Sequence, residues 1–231
     1  YKMYLGTFFV PGLVLIQICL LFRGQKKRRK KTASAVAVLM VFILSCTGCA
    51  GIEPEKRMYP LAMGVDMSEG EYILTYAMPD LPRATGQGKE EEDGNQTLQV
   101  RGKSFEEIKS RYERSQEKYL DIGHLQILIL SQDLTETDMW KDFFEYLREE
   151  PLAGENIYVF QTQEPEKLLG WKEGGTSVGE YITGLMENRM DREQKNGVTL
   201  RQVYYQWYQN GTLKKLPKIT LSEDQIQVWL E

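Results

Sequence analysis

Few residues of this chain have the type and spacing that catalysis requires. His124 is the only histidine among the 231 residues. A single imidazole leaves a serine or cysteine nucleophile without its usual paired base and supplies too few ligands for most zinc sites. Because His124 directly precedes an apolar run that is typical of a buried strand, we interpret it as a capping or packed core residue. No catalytic residue, metal site or cofactor site is predicted.

Three other groups of residues allow a chemical interpretation beside a structural one. The acidic run at residues 90–93 could bind a cation, although a solvated loop is the usual role of such a run. Residues 174–177 (GGTS) could hold an anion at the start of a helix, but no P-loop lysine or dinucleotide fingerprint accompanies them, which favours a simple N-cap turn. Four aromatic residues could line a binding face: Tyr204, Tyr205, Trp207 and Tyr208. We expect half of this set to be core residues instead.

Cys46 and Cys49 have the C-x-x-C spacing of a zinc or redox motif. A second ligand pair is missing, since the remaining cysteine is Cys19, and the motif directly follows an apolar segment. The small pair Thr-Gly before Cys49 instead fits the lipoprotein signal peptidase, which needs small side chains before the cysteine that becomes diacylated. We therefore predict lipidation at Cys49, with Cys46 (preceded by Leu-Ser) as the second choice. Several acyl chains anchor a protein stably, because each buried methylene adds ~0.8 kcal/mol.

Two apolar segments and a basic run precede these cysteines. Residues 4–22 are nearly free of charge and long enough to span a bilayer as a helix. Residues 33–44 are shorter and suit the apolar region of a signal peptide. The basic run at residues 23–31 is expected to stay in the cytoplasm, which sends everything after residue 44 to the outer face of the membrane.

The remainder of the chain is strongly acidic. Residues 1–48 contain eight basic and no acidic side chains, so the rest carries 21 basic against 33 acidic ones, a formal net charge of -12. This charge argues against nucleic acid as a partner and against electrostatic adhesion to anionic lipid. No cysteine follows Cys49, so the exported part has no disulfide framework and its core must be stable through packing alone.

The exported part shows strand and helix patterns in mixed order. Apolar alternation and apolar runs predict strands over residues 59–66, 71–78, 97–101, 125–130 and 157–162, and a hairpin over 219–221 and 226–229. Helical spacing predicts a helix after a capping box at Ser104, and others over residues 135–148, 166–169, 178–190 and 200–209. Residues 80–96 are polar and predict a mobile loop. The fold class is α+β, with a mixed or antiparallel sheet packed with helices, preceded by an N-terminal membrane segment and a lipoprotein signal.

The order of these features is similar to that of a known family. GVD at residues 64–66 lies in a strand, GKSFEE at residues 102–107 leads into a helix, GHLQILIL follows at residues 123–130, and REEP at residues 148–151 follows the next helix. This arrangement resembles the Ger(x)C family, the lipoprotein C subunit of spore germinant receptors. The resemblance covers the chain from Cys49 to its end. Two positions depart from the family pattern, since Ala50-Gly51 replaces the usual Trp-Asp or similar pair directly after the lipid cysteine.

The resemblance suggests a domain organisation. Residues 1–31 form a transmembrane segment and a cytoplasmic basic run that resemble the last span of a permease-like B subunit, and residues 32–48 form the signal and lipobox. Residues 49–215 correspond to the N-terminal globular domain of the family. Residues 216–231 contain LPKIT, which resembles the linker into the next domain, and form the start of a truncated C-terminal domain.

The resemblance also implies a function. The protein would not be an enzyme but a lipid-anchored assembly or signalling subunit of a nutrient germinant receptor, with the A and B membrane subunits as partners. It would lie on the outer face of the spore's inner (cytoplasmic) membrane, held in the lipid by its acylated cysteine. The sequence identifies no ligand-binding residue.

Two other classes remain as alternatives. A solute-binding lipoprotein of a membrane importer is the main one, although that class generally needs two α/β lobes and a longer chain. An anchored hydrolase lacks the titratable partners that its chemistry requires.

Overall fold

The computed structural model describes residue 40 and residues 52–79, 97–171, 176–188 and 197–229. The predicted membrane span, the signal, both candidate lipid cysteines and the predicted loop at residues 80–96 lie outside these ranges. Among the described residues, no helix is both long and apolar enough to cross a membrane. Residues from Glu53 onward belong to one compact unit.

The described strands form two sheets. The strands are β1 (Arg57–Met58), β2 (Ala62–Ser68), β3 (Glu71–Ala77), β4 (Thr97–Gly102), β5 (Tyr119–Leu120), β6 (Ile127–Ser131), β7 (Tyr158–Thr162), β8 (Lys218–Ser222) and β9 (Gln225–Trp229). The main sheet has seven strands in the order β4-β3-β2-β6-β7-β8-β9, and β1 pairs with β5 in a separate parallel ladder. In the main sheet β2, β6, β7 and β8 are parallel, while β4-β3-β2 at one end and β8-β9 at the other are antiparallel. The predicted mixed sheet is confirmed.

Helices cover both faces of the sheet. They are α1 (Phe105–Ser115), α2 (Gln132–Thr135), α3 (Met139–Glu149), α4 (Pro165–Leu169), α5 (Val178–Glu187) and α6 (Leu200–Asn210). Helices α1, α2, α3 and α6 pack on one face, and α4 and α5 pack on the other. Strand β6 lies between the two layers, since Leu128 and Leu130 enter the first core cluster and Ile127 and Ile129 enter the second. Burial on both faces explains why this strand is a continuous apolar run.

Local sequence signals account for several helix ends. Ser104 caps α1 as predicted, because its Oγ accepts a hydrogen bond from the Glu107 N–H at 3.2 Å. The Glu107 carboxylate accepts from the Lys103 N–H instead of the Ser104 N–H, so only half of the predicted capping box is present. A reciprocal capping box starts α5 at Ser177 and Glu180. The helix predicted over residues 135–148 is α3, which begins only at Met139, because residues up to Thr135 form the separate short helix α2 that Ser131 caps.

The predicted C-terminal hairpin is confirmed, and it continues the main sheet. The Gln161 N–H of β7 donates to the Pro217 carbonyl just before β8 at 2.9 Å. The indole Nε1 of Trp171 donates to the Asp224 carbonyl in the β8-β9 turn at 2.7 Å. These bonds join the hairpin to the body of the domain. The domain boundary before residue 216 stays a prediction.

Two glycines of α5 are expected to respond to alanine with opposite signs. A Cβ on Gly179 would lie 2.7 Å from Leu61 Cβ and 3.0 Å from the Leu61 carbonyl carbon, whereas a Cβ on Gly184 would meet only Asn188 Nδ2 at 4.0 Å. We expect Gly179→Ala to lower the free energy of unfolding by about 1–3 kcal/mol because backbone atoms must shift. Gly184→Ala is expected to raise it by about 0.5–1 kcal/mol, since alanine restricts the unfolded chain. Denaturant unfolding measures both, and a change of the same sign in the two variants would contradict the helix packing.

Candidate functional site

Of the residues singled out from the sequence, those that the structure describes lie on different elements: His124 before β6, Ser177 before α5 and the four aromatic residues on α6. Cys46, Cys49 and the acidic run at residues 90–93 lie outside the described residues. Of residues 174–177, Ser177 caps α5 by accepting a hydrogen bond from the Glu180 N–H. This is the N-cap turn that was expected, and the cap leaves that N–H occupied. The described residues contain no group of three or more His, Cys, Asp or Glu side chains that could hold a metal ion.

His124 ends a short 3-10 turn (Ile122–His124) just before β6. Its side chain is exposed, and its ring makes a T-shaped contact with the ring of Tyr59 at a centroid distance of 5.1 Å. The prediction that His124 packs in the core is therefore wrong, because the buried apolar run starts only at the next residue. The nearby carboxylate, Asp121, is bound to Arg57 and to a backbone N–H rather than to the imidazole.

An ion pair fixes the segment that follows the predicted lipid cysteine. Arg57, eight residues after Cys49, donates from its guanidinium to Asp121 at 2.6 Å. The other oxygen of Asp121 accepts from the Gly123 N–H at 2.9 Å, and the Asp121 N–H donates to the Met58 carbonyl at 2.9 Å. The parallel ladder of β1 and β5 extends the same contact. The polypeptide is thus tied to the domain directly after its predicted anchor.

Asp121 is expected to stabilise the fold in a pH-dependent way. Burial alone raises the pKa of Asp121, but the hydrogen bonds from Gly123 and Arg57 outweigh burial and hold that pKa below its ordinary value. A carboxylate with a lowered folded pKa stabilises the protein above its unfolded pKa of about 3.9, and this contribution disappears as the pH falls through the folded pKa. We expect Asp121→Asn to cost about 1.5–3 kcal/mol near neutral pH. The difference from the parent protein should shrink in acid.

The matched control is Glu155→Gln, because Glu155 pairs with Arg201 at 3.1 Å and both side chains are more than half exposed. Such a pair contributes at most about 1 kcal/mol. Denaturant unfolding from acid to neutral pH measures both variants. Equal losses in the two variants would contradict the role given to Asp121.

The four aromatic residues of α6 divide evenly between packing and exposure. Tyr204 and Trp207 are half-buried against the core, where the Tyr204 hydroxyl donates to the Phe144 carbonyl at 3.2 Å and Trp207 meets the ring of Trp140. Tyr205 and Tyr208 are exposed, at 69% and 58%. This division agrees with the expectation that half of the set is structural.

A cavity of about 180 Å³ opens between α1, α3 and the strand β5. Apolar and aromatic side chains form most of its lining: Met63, Tyr76, Ile108, Tyr112, Tyr119, Leu120, Ile122, Tyr146, Leu147 and Leu152. Polar and charged side chains also line it: Lys109, Glu113, Gln116, Glu117, Lys118 and Glu150. Of the apolar group, Tyr119 and Leu152 are exposed to solvent as well. The lining is therefore mainly apolar, with a smaller number of polar and charged groups.

Three tyrosines in this cavity are neutral hydrogen-bonding groups. Burial raises the pKa of Tyr76, of Tyr112 and of Tyr146, and the negative charge of Glu150 adds to the effect on Tyr146. All three therefore keep their hydroxyl protons at neutral pH. The Tyr112 hydroxyl donates to the Lys118 carbonyl at 2.9 Å, and Lys109 pairs with Glu150 at 3.2 Å. The cavity thus combines apolar walls with neutral hydroxyls and one ion pair.

Comparison with known protein families shows which family this chain belongs to. A family model described as the spore germination protein N-terminal domain matches residues 51–221. The match covers well over half of the 231 residues. The chain belongs to the Ger(x)C family of spore germination proteins. No curated protein and no solved structure matches the chain.

The region that matches the Ger(x)C family contains the candidate features described above. The Arg57–Asp121 pair, the cavity and α6 all lie within residues 51–221, while Cys49 lies two residues before the match begins. Proteins of this family are membrane-associated components of multi-subunit germinant receptors, so the chain is a receptor component of spore germination.

Sequence reasoning did not find the cavity of the Ger(x)C domain. Tyr76 and Ile108 could be assigned to buried faces by their spacing, but a gap between a helix and a strand depends on how two elements separated along the chain pack. The only sequence feature that relates to the cavity is a set of four tyrosines, at residues 76, 112, 119 and 146. These residues are too far apart in sequence to form a recognisable motif.

Proposed function

We propose that the protein is a lipid-anchored subunit of a nutrient germinant receptor and that it acts in assembly or signalling. In this proposal the acylated Cys49 holds the domain on the outer face of the spore's inner membrane, beside the A and B membrane subunits. The protein contributes a surface to the complex and is not an enzyme.

The observation that supports this proposal most directly is where the family domain begins. The match starts at residue 51, and the chain becomes tied to the domain through Arg57 and β1. Only a few residues therefore separate the predicted lipid from the folded body. Eight residues from Cys49 to Arg57 reach at most about 30 Å, which keeps the domain close to the membrane surface.

The charge of the exported part supports a covalent anchor. A net charge of -12 beyond residue 48 does not favour adhesion to an anionic membrane surface. Stable attachment of this domain then requires hydrocarbon, either acyl chains on Cys49 or an uncleaved N-terminal segment. The two cases differ in the mass of the mature protein and in its content of lipid.

The lipid anchor is tested by measuring cleavage of the N-terminal segment and fatty-acid labelling of the protein. Membrane retention does not test it, because an uncleaved N-terminal segment would retain the protein as well. Sporulating cells receive an alkyne-tagged fatty acid, and the protein is compared as parent, Cys49→Ala and Cys46→Ala. We expect the parent and Cys46→Ala to be labelled and to lack residues 1–48, whereas Cys49→Ala is unlabelled and keeps them. Cys46→Ala is the matched control, three residues away in the same segment. Label that persists in Cys49→Ala and disappears in Cys46→Ala would move the anchor to Cys46, and no label in the parent would contradict the lipid anchor.

The subunit role is tested by co-purification from spore inner membranes. An affinity tag on this protein is expected to recover the A and B subunits in constant proportion after mild detergent extraction. Recovery of the protein alone, together with a small solute bound at one equivalent, would instead support the solute-binding alternative.

A further inference from the structure

We infer that the cavity between α1, α3 and β5 binds a small organic molecule that has a ring-sized apolar body and a hydrogen-bond-donating head group. This inference concerns the domain itself and does not depend on the lipid anchor or on the receptor partners.

The volume fits a single ring. An apolar cavity of about 150 Å³ in another protein is known to bind benzene, and the cavity described here measures about 180 Å³. Its walls include Met63, Ile108 and Leu147, which are buried. An apolar body of six to eight heavy atoms (roughly the size of a benzyl group) would remove this surface from water.

Tyr76 provides the observation that points to a ligand. Its side chain lines the cavity and is 3% exposed. Within the part of the chain that the structure describes, its hydroxyl has no hydrogen-bond partner, although every fully enclosed side-chain nitrogen or oxygen there has one. The hydroxyl is therefore reachable from the cavity, where a ligand can replace the water that would otherwise hydrate it and form the hydrogen bond that the protein does not supply.

The charges around the cavity indicate which charge the head group of the ligand should carry. Three carboxylates (Glu113, Glu117 and Glu150) and two ammonium groups (Lys109 and Lys118) belong to the lining. One lysine, Lys109, is already paired with Glu150. The excess of negative charge favours a cationic or neutral donor over an anion. The tyrosine rings favour the same choice, because aromatic faces attract ammonium groups.

The test uses two fluorinated probes of similar size and opposite charge. Binding of 4-fluorobenzylamine and of 4-fluorobenzoate to the full 231-residue chain in lipid nanodiscs is followed by ¹⁹F NMR. We expect saturable binding of the amine, with the benzoate at least about ten-fold weaker. Leu152→Trp is the blocked control in the same nanodiscs, because Leu152 lines the cavity and is 39% exposed, so a larger ring there closes the opening without disturbing the core. Its signal measures the partitioning of the probes into lipid.

A second variant tests the hydroxyl alone. Tyr76→Phe keeps the ring and is expected to weaken binding of 4-fluorobenzylamine about three- to ten-fold, the usual effect of one hydrogen bond. Binding of the amine that does not exceed the Leu152→Trp background would overturn the site. Equal binding of the benzoate would overturn the assigned head group, and unchanged binding in Tyr76→Phe would remove Tyr76 from the site.

Discussion

Replacing Phe144 by alanine is expected to lower the free energy of unfolding by about 3–5 kcal/mol. The Phe144 side chain is completely buried on α3. Its ring centroid lies 5.3 Å from Phe143, 6.2 Å from Trp140 and 5.9 Å from Tyr204. Truncation removes the buried ring and its aromatic contacts, and it leaves a space between α3 and α6 that rigid neighbours cannot fill completely.

Tyr205→Ala is the matched control for this prediction. Tyr205 is an aromatic residue of the neighbouring helix α6 but is 69% exposed, so its truncation should change the free energy of unfolding by less than about 0.5 kcal/mol. Both variants are measured by denaturant unfolding of the full chain in a mild detergent, followed by tryptophan fluorescence. A loss below about 1 kcal/mol in Phe144→Ala would contradict the assignment of α3 to the central core.

The main elements of the fold could be predicted because their signals are local. The continuous apolar run at residues 125–130 predicted a buried central strand, and β6 is buried along its whole length. The alternation at residues 71–78 and the aromatic spacing of α3 predicted β3 and the amphipathic helix that covers it. In each case burial against a neighbour leaves a pattern in the local sequence, which is a continuous apolar run for β6 and a periodic spacing for β3 and α3.

The elements that were missed depend on contacts between distant parts of the chain. Strands β1 and β5 are two residues each and pair in parallel across 62 positions of sequence, from Arg57 to Tyr119. Such short strands have no periodicity, and the ion pair that reinforces them joins the partly buried Arg57 of β1 to Asp121, which directly follows β5. The order of strands in the main sheet, with β6 between β2 and β7, likewise depends on packing that no single segment encodes.

Less of the candidate site than of the fold could be predicted from the sequence, for the same reason. The interpretation of Ser177 as an N-cap needed only its position before a helix, and the structure has that cap. His124 was expected to cap or to pack in the core, yet the apolar run starts one residue after it and its ring lies on the surface against Tyr59. The cavity involves α1, α3 and β5 together, so it became visible only when these elements were placed in three dimensions.

Nutrient germination of spores whose only copy is a full-length Cys49→Ala variant tests the proposed function most directly. Dipicolinate release is followed with several nutrients, with a surfactant that triggers germination without receptors as the control, and with Cys46→Ala as the matched variant. We expect Cys49→Ala spores to lose the response to at least some nutrients while the surfactant response and the Cys46→Ala strain remain normal. Unchanged release with every nutrient, both in the Cys49→Ala strain and in a strain that lacks the protein, would contradict the account of this protein as a lipid-anchored subunit required by its germinant receptor.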